Sequence, residues 1–349
     1  MTVRLGFLGA GLIAHAHAAS LRTGAAAATI VAVHDPDRAR AERFAATFGG
    51  DGGLRILDDP DAVIDAADAV YVCTWTAAHP DLVRRVAAAG KAVFCEKPLA
   101  TTAAVAEDMV RTVEAAGVVN QVGLVLRSVP GFALVRALLR LPESGRLSTV
   151  VFRDDQDIPV GNGYGSTWRG DKDKAGAGTL LEHSIHDLDL LEWLCGPVAS
   201  LSAYQDNLHG HDGIEDTVSV SFRFRSGGTG VLCSTWHDVP GRGSNRRFEL
   251  FTERARIEAE GNAAESVSWE YRAGQGERSE GADQIARAGA LGVVLPGNPD
   301  VAFVESVRTG RPAYPDFRVV LRAHLLVDAV YRSAAAGGAA ITLPEPDGR

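Results

Sequence analysis

The chain has 349 residues, of which 46% are hydrophobic and 23% charged, with a formal net charge of -9 and a sequence pI near 5.6. That length exceeds what a single core fills, so two domains are expected. The acidic balance argues against nucleic acid or an anionic membrane as the main partner, and no apolar run approaches the ~20 residues of a membrane span.

The N-terminus reads "MTVRLGFLGAG" and enters a strand pattern directly, with no charged leader and apolar h-region. Strand-like runs follow at Arg4–Leu8, Thr29–His34, Ala69–Thr74, Ala92–Cys95 and Asn120–Val125. Helical compositions lie between them at Ile13–Thr23, Arg38–Phe48, Pro80–Ala89 and Thr101–Ala116. Repeated strand–helix alternation predicts a doubly wound parallel sheet over residues 1–125. Beyond about residue 145 the runs lengthen and alternate with period two. Thr217–Arg225 and Gly230–Asp238 flank "SGGT", a hairpin signature, and Arg247–Phe251, Arg256–Ala259 and Val267–Tyr271 continue the pattern. Residues 126–349 are therefore expected to form an α/β domain with a large, mostly antiparallel open sheet. Residues 274–300 read as loop or weak helix, Val301–Thr309 as helix, and Phe317–Ala336 as a helix able to pack back on the first domain. Cys73, Cys95, Cys195 and Cys233 are widely spaced, without a C-x-x-C pair, which favours reduced thiols and a cytoplasmic location.

Three stretches carry chemistry. "VRLGFLGAGLIA" places Gly9, Gly11 and Ala14 in a G-x-G-x-x-A turn between strand and helix, with Leu12 and Ile13 opening the helix. The glycines permit the tight turn and close approach to a pyrophosphate, which the helix N-terminus then faces. Asp35 ends the second strand, where a carboxylate binds the ribose 2′-OH and repels a 2′-phosphate, so NAD is expected in preference to NADP. "KAVFCEKPLATT" delivers Glu96, Lys97 and Pro98 at a strand's carboxyl end, the ligand side of such a sheet. "LLEHSIHDLDLLEWL", 180–194, reads as one helix with Leu181, Ile185, Leu188 and Leu191 inward and Glu182, His186 and Asp189 stacked on a neighbouring stripe.

Taken together, these stretches resemble the Gfo/Idh/MocA family of glucose–fructose oxidoreductase and inositol dehydrogenase-like proteins. The resemblance runs through "GFLGAGLIA", "AVHDPDRARAERFAATFG", "HPDLVRRVAAAGKAVFCEKPLATT", "NQVGLVLR" and "GAGTLLEHSIHDLDLLEWL". It implies a Rossmann domain followed by an α/β domain whose open sheet face forms an oligomer interface, as a homodimer or homotetramer. It implies that Lys97 contacts substrate and nicotinamide, and that His186 is the general acid/base. Glu182 sits where many members have Asp. Cofactor contacts are expected from Gly9, Gly11, Leu12, Ile13, Asp35, Thr74, Trp75, Thr76, His79, Glu96, Lys97 and Gln121. The loop departs from the family's C-T-P-N-x-x-H, reading Cys73-Thr74-Trp75-Thr76-Ala77-Ala78-His79, so backbone groups or Thr76 must replace the missing amide.

The chemistry expected is oxidation of a secondary alcohol of a sugar, inositol or related polyol. His186 would take the hydroxyl proton and Lys97 would stabilise the developing alkoxide, with Glu182 orienting a neighbour or holding a second hydroxyl. Residues from both domains suit a site in an interdomain cleft. Arg127, Trp168 and Arg169 are expected at the substrate, with Tyr164, Lys172, Trp236 and His237 nearby. Asp189 is expected at the cleft floor or as a cap, and Asp187 as structural. A metal held by Glu182, His183, His186 and Asp189 is the rival reading; no second ligand cluster supports it, His209 and His211 being loop-like, and no metal is expected. Two further alternatives are a catalytically silent NAD-binding regulator and an enzyme that cleaves glycosides by transient oxidation.

Overall fold

The computed structural model describes residues 2–50, 53–161, 166–272, 274, 276–295 and 297–346. Two compact units emerge: one from Met1–Leu124, Asp173–Gly176 and Pro296–Leu321, the other from Val125–Lys172, Ala177–Leu295 and Arg322–Arg349. In chain order the first 124 residues run β1 (Val3–Leu8), α1 (Leu12–Thr23), β2 (Ala28–His34), α2 (Arg38–Phe48), β3 (Arg55–Ile56), α3 (Pro60–Ala66), β4 (Ala69–Val72), α4 (His79–Ala88), β5 (Ala92–Cys95), α5 (Ala103–Ala116) and β6 (Asn120–Val122). The six strands are parallel, in the order β3-β2-β1-β4-β5-β6. Strand order reverses between β1 and β4, so the ligand crevice of a doubly wound sheet lies beyond their carboxyl ends. Phe7, Tyr71 and Phe94, one from each of β1, β4 and β5, stack with ring centroids 4.7 and 4.8 Å apart. All three are fully buried, each contributing on the order of 1.5–3 kcal/mol of burial. Side chains start the helices: Asp37 caps α2 through Ala39 N–H, and Thr102 caps α5 through Val105 N–H.

The remaining elements are α6 (Pro130–Leu139), β7 (Leu147–Asp157), α7 (Lys172–Ala175), α8 (Thr179–Glu182), α9 (Ile185–Cys195), β8 (Val198–Asp206), β9 (Thr217–Phe224), β10 (Thr229–His237), β11 (Asn245–Thr252), β12 (Ala255–Glu260), β13 (Ser266–Tyr271), β14 (Glu277–Glu280), α10 (Ala282–Ala290), α11 (Pro299–Thr309), α12 (Phe317–Ala335) and β15 (Ile341–Thr342). Nine strands form one sheet, β14-β13-β12-β11-β7-β10-β9-β8-β15, antiparallel except where β10 meets β7. β9 and β10 are the expected hairpin, with Gly227 and Gly228 at φ +91° and +83° in its turn.

Several expectations are corrected. Residues 274–300, read as loop or weak helix, hold β14 as well as all of α10 and the start of α11. Helix 180–194 is two helices, broken at His183 and Ser184. The Ser184 hydroxyl is buried and tied to the sheet, donating to Asp154 Oδ2 at 3.1 Å and lying 2.6 Å from Ser234 Oγ. In β9, Val218, Val220 and Phe222 are buried on the covered face of the sheet, and the alternating Ser219, Ser221 and Arg223 are exposed. No helix among the described residues is long and apolar enough to cross a membrane.

Candidate active site

In the first unit, β1 ends at Gly9, whose φ of +93° suits glycine and whose Cβ would meet the Cys73 carbonyl at 2.5 Å. Gly11 begins α1 without a side-chain cap, and a Cβ added to it would find nothing within 4 Å. The amides of the first turn thus have no side-chain cap, and the space in front of Gly11 is open, with Leu12 and Ile13 exposed beside it and Ala14 buried. Asp35 accepts from the Ala10 amide through Oδ2 and from the Asp37 amide through Oδ1, both at 2.8 Å. Its carboxylate is therefore tied to the lip of the glycine turn. Arg38 and Arg40, the nearby cations, are engaged by Glu42, Asp58 and Asp37. The residues fit a dinucleotide: an uncapped helix start for the pyrophosphate and a carboxylate for the ribose.

The loops after β4 and β5 complete that edge. Thr74 and Trp75 are half-buried and Thr76 is buried. His79 is buried, with Nδ1 2.9 Å from the Pro98 carbonyl and Nε2 3.2 Å from the Thr74 carbonyl, so its ring joins the two loops. Lys97 is half-buried, and its peptide bond to Pro98 is cis. Glu96 is buried and lies against His17. Gln121 is fully buried; its amide donates to the Pro299 carbonyl at 3.0 Å, while Oε1 has no partner among the described residues. Such an orphaned acceptor calls for a donor that a carboxamide ligand could supply.

In the second unit Glu215 builds the start of α8. Its carboxylate accepts from the Gly178 and Leu180 amides at 2.8 and 3.0 Å and from the Tyr331 hydroxyl at 2.9 Å. A Cβ on Gly178 would run into the Glu215 backbone, so glycine is required there. From α8 the buried Glu182 accepts from Arg169 Nε at 3.2 Å, and the Arg169 guanidinium lies 4.3 Å from the centroid of the Trp168 ring. His186, in the first turn of α9, is 8% exposed. Arg246 donates from Nε to Asp187 at 2.8 Å and lies 2.6 Å from His183 Nε2 through Nη2. Asp154 is 3.1 Å from the same His183 nitrogen. Burial and the Asp154 carboxylate push Asp187 up to about 7 against the pull of Arg246.

Asp154, His183 and Asp187 converge closely enough to hold an ion, but the Arg246 guanidinium already hydrogen-bonds to two of them. The ligand set Glu182, His183, His186 and Asp189 does not converge among the described residues.

Comparison with known proteins decides the family. Residues 3–124 match the oxidoreductase family described as an NAD-binding Rossmann fold, and residues 132–258 match the GFO/IDH/MocA C-terminal domain. The chain belongs to the Gfo/Idh/MocA oxidoreductases. Inositol 2-dehydrogenase of Rhizobium meliloti (strain 1021) is 31% identical over 345 residues, spanning 96% of this chain and 98% of that protein. Myo-inositol 2-dehydrogenase of Thermotoga maritima is 28% identical over 74% of this chain and 75% of its own length. Levoglucosan dehydrogenase, solved with NADH and levoglucosan, shares the fold with a TM-score of 0.86, 22% identity, and coverage of 99% of this chain and 100% of that one.

Within the Gfo/Idh/MocA fold, the residues read from sequence divide into groups. Gly9, Gly11, Leu12, Ile13 and Asp35 gather at one edge of the first sheet. Glu182, Trp168 and Arg169 form a contiguous cluster. Glu182 and His186 lie on two short helices, not stacked on one. Arg127 does not stand alone at a cleft: it binds Asp189. Trp236 is core, Lys172 is exposed, His237 lies 3.8 Å from Asp157, and Tyr164 falls outside the described residues. Arg246, Asp154 and Glu215 escape sequence reading altogether, because the partners that place them in the site lie 30 or more residues away along the chain.

Proposed function

We propose that the protein is an NAD-dependent dehydrogenase acting on a secondary alcohol of an inositol, sugar or related polyol. One observation carries the reading: β1, β2, β4 and β5 deliver Gly9, Asp35, Thr74 and Lys97 at the same edge of the sheet, next to its order reversal. The full-length likeness to an inositol 2-dehydrogenase supports the substrate class.

NAD, when bound, supplies the hydride acceptor. Gly9–Ala14 would hold its pyrophosphate, Asp35 its ribose, and Gln121 Oε1 is a candidate acceptor for its carboxamide. The Lys97 ammonium stabilises the alkoxide that develops as the carbinol is oxidised. His186 receives the hydroxyl proton, which requires a neutral imidazole before reaction. Glu182, bound to Arg169, orients that cation and the Trp168 face toward the polyol. Asp35 favours NAD over NADP by facing a 2′-phosphate with a carboxylate.

Association as a homodimer or homotetramer is part of this reading. Val151, Val231 and Phe251 are exposed on the uncovered face of the nine-stranded sheet, where Val231 pairs with Val151 and Phe251 with Thr149. Arg153, Arg247, Glu249 and Glu258 surround them, so the face is a small apolar patch in a charged field, not an apolar sheet. Four free cysteines support a reducing, cytoplasmic setting.

A panel of inositols, aldoses and anhydro- or glycosidic sugars, assayed for NADH absorbance at 340 nm, tests the proposal. Turnover with free polyols and NAD is expected. Reaction confined to glycosides, with release of the leaving group and no net NADH, would replace it by the cleavage mechanism.

A further inference from the structure

The first unit buries a charged cluster that the reaction as described does not use. His17, on α1, is 4% exposed; its Nδ1 lies 2.8 Å from Asp300 Oδ1 and its Nε2 3.0 Å from Glu96 Oε1. A neutral imidazole carries one N–H and could serve only one of these oxygens. Two carboxylates, one on each ring nitrogen, call for the imidazolium. Burial opposes that charge, but the hydrogen bonds and charges of Asp300 and Glu96 outweigh it and raise the pKa to about 10. The ring is wedged edge-on against Phe94 at 4.8 Å and tilted against Tyr71 at 5.5 Å, so it has one orientation.

The three members come from separate places. His17 sits on the helix whose first turn follows the glycine motif. Glu96 directly precedes Lys97. Asp300 lies in the first turn of α11, its amide fixed by Asn298 Oδ1 at 2.9 Å. The Glu96 carboxylate is also braced from behind: a Cβ on Gly123 would collide with its Oε1. A buried ion cluster is poor value as a source of stability, since apolar residues of similar volume often serve as well or better. Its location one residue from the lysine points to geometry instead.

We propose that His17 is a positioning residue: its imidazolium fixes the Glu96 carboxylate and so sets the backbone from which Lys97 reaches the substrate, tying it to the helix that carries the cofactor turn. This rests on the Lys97 role proposed above. Displacing a catalytic group by about 1 Å costs on the order of 10²-fold in rate.

The test is a double-mutant cycle of His17→Gln and Lys97→Met, with kcat and KM measured on the polyol found by the screen and NADH affinity by fluorescence titration. Acting through Lys97, His17→Gln lowers kcat by about 10²-fold, leaves NADH affinity nearly unchanged, and adds no further loss in the Lys97→Met background. Multiplying losses in the double variant would overturn the inference and mark His17 as merely structural. Native turnover in Lys97→Met alone would instead sink the lysine's role, a separate failure. Should His17→Gln not fold, Glu96→Gln replaces it with the same expected non-additivity. Independently of activity, ¹⁵N spectra of histidine-labelled protein are expected to show both His17 ring nitrogens protonated at pH 8. A neutral ring there overturns the inference outright.

Discussion

Arg127 grips Asp189 with two hydrogen bonds, Nε to Oδ2 at 2.7 Å and Nη2 to Oδ1 at 2.6 Å. The arginine expected to touch substrate and the aspartate expected at a cleft floor thus bind each other. Both side chains are nearly inaccessible, at 12% and 4%. Burial raises the Asp189 pKa, opposed by the Arg127 hydrogen bonds and charge. Trp193 packs under Arg136 and beside Arg127, with guanidinium carbons 4.2 and 5.9 Å from its ring centroid.

Removing one partner leaves a buried charge. Arg127→Leu is expected to cost about 3–5 kcal/mol of stability, and Arg127→Leu with Asp189→Leu to recover most of it. Urea unfolding of the two variants decides. An unchanged midpoint together with a raised KM would put Arg127 on the substrate after all.

Cofactor choice should follow Asp35. Native protein is expected to bind NADH more tightly than NADPH, and Asp35→Ser to narrow the gap. Arg38 and Arg40 sit in exposed ion pairs with Glu42, Asp58 and Asp37, which cost little to break, so Arg38→Ala and Arg40→Ala in the Asp35→Ser background show whether either meets the 2′-phosphate. Fluorescence titration with both nucleotides is the measurement, and tighter native binding of NADPH would refute the assignment.

Lys97 and His186 should fail in different ways. Lys97→Met is expected to lower turnover by about 10²–10³-fold while sparing NAD binding. His186→Asn should lower it by about 10²–10⁴-fold and flatten the rise of rate with pH near neutrality. Glu182→Gln keeps the shape of the side chain beside Arg169 and is expected to be milder. If Glu182→Gln abolishes turnover while His186→Asn does not, the two roles are reversed.

Stability should carry the signature of His17. Its folded pKa of about 10 lies above the unfolded value near 6.5. The contribution is therefore complete below about pH 6.5 and is lost as pH rises through about 10. Melting temperature is expected to decline from pH 7 toward pH 10, more steeply in the native protein than in His17→Gln. Parallel profiles would contradict it.

Most of the first sheet is legible from sequence, because each strand there is a short apolar run closed by a turn signal; Gly9 and Asp35 follow such ends directly, and Lys97 comes one residue later. β3, with two residues, is too short to announce itself, and α3 goes unread although Asp59 caps it and Pro60 opens it. β7 is obscured because its inward positions include Asp154 and Gln156, which break the apolar alternation. The interruption at His183 and Ser184 leaves no trace in the leucine spacing on either side. It is imposed by Asp154 and Ser234, from strands 30 and 50 residues away, and no local pattern encodes such partners. For the same reason Lys97 can be found as a motif while His17 and Asp300, 283 residues apart, can be paired only in three dimensions.

The nucleotide unit is not a contiguous cassette. Residues Pro296–Leu321 return to it after eight of the nine strands of the second sheet have been made, bringing Asp300 to His17, Asn298 to Ser20 and the Pro299 carbonyl to Gln121. A chimera that exchanges only the first 124 residues with a relative would pair a new α1 with an old α11 and split the histidine from its second carboxylate. Recombination of cofactor specificity in this scaffold therefore has a natural unit of two segments, and the later one must travel with the first.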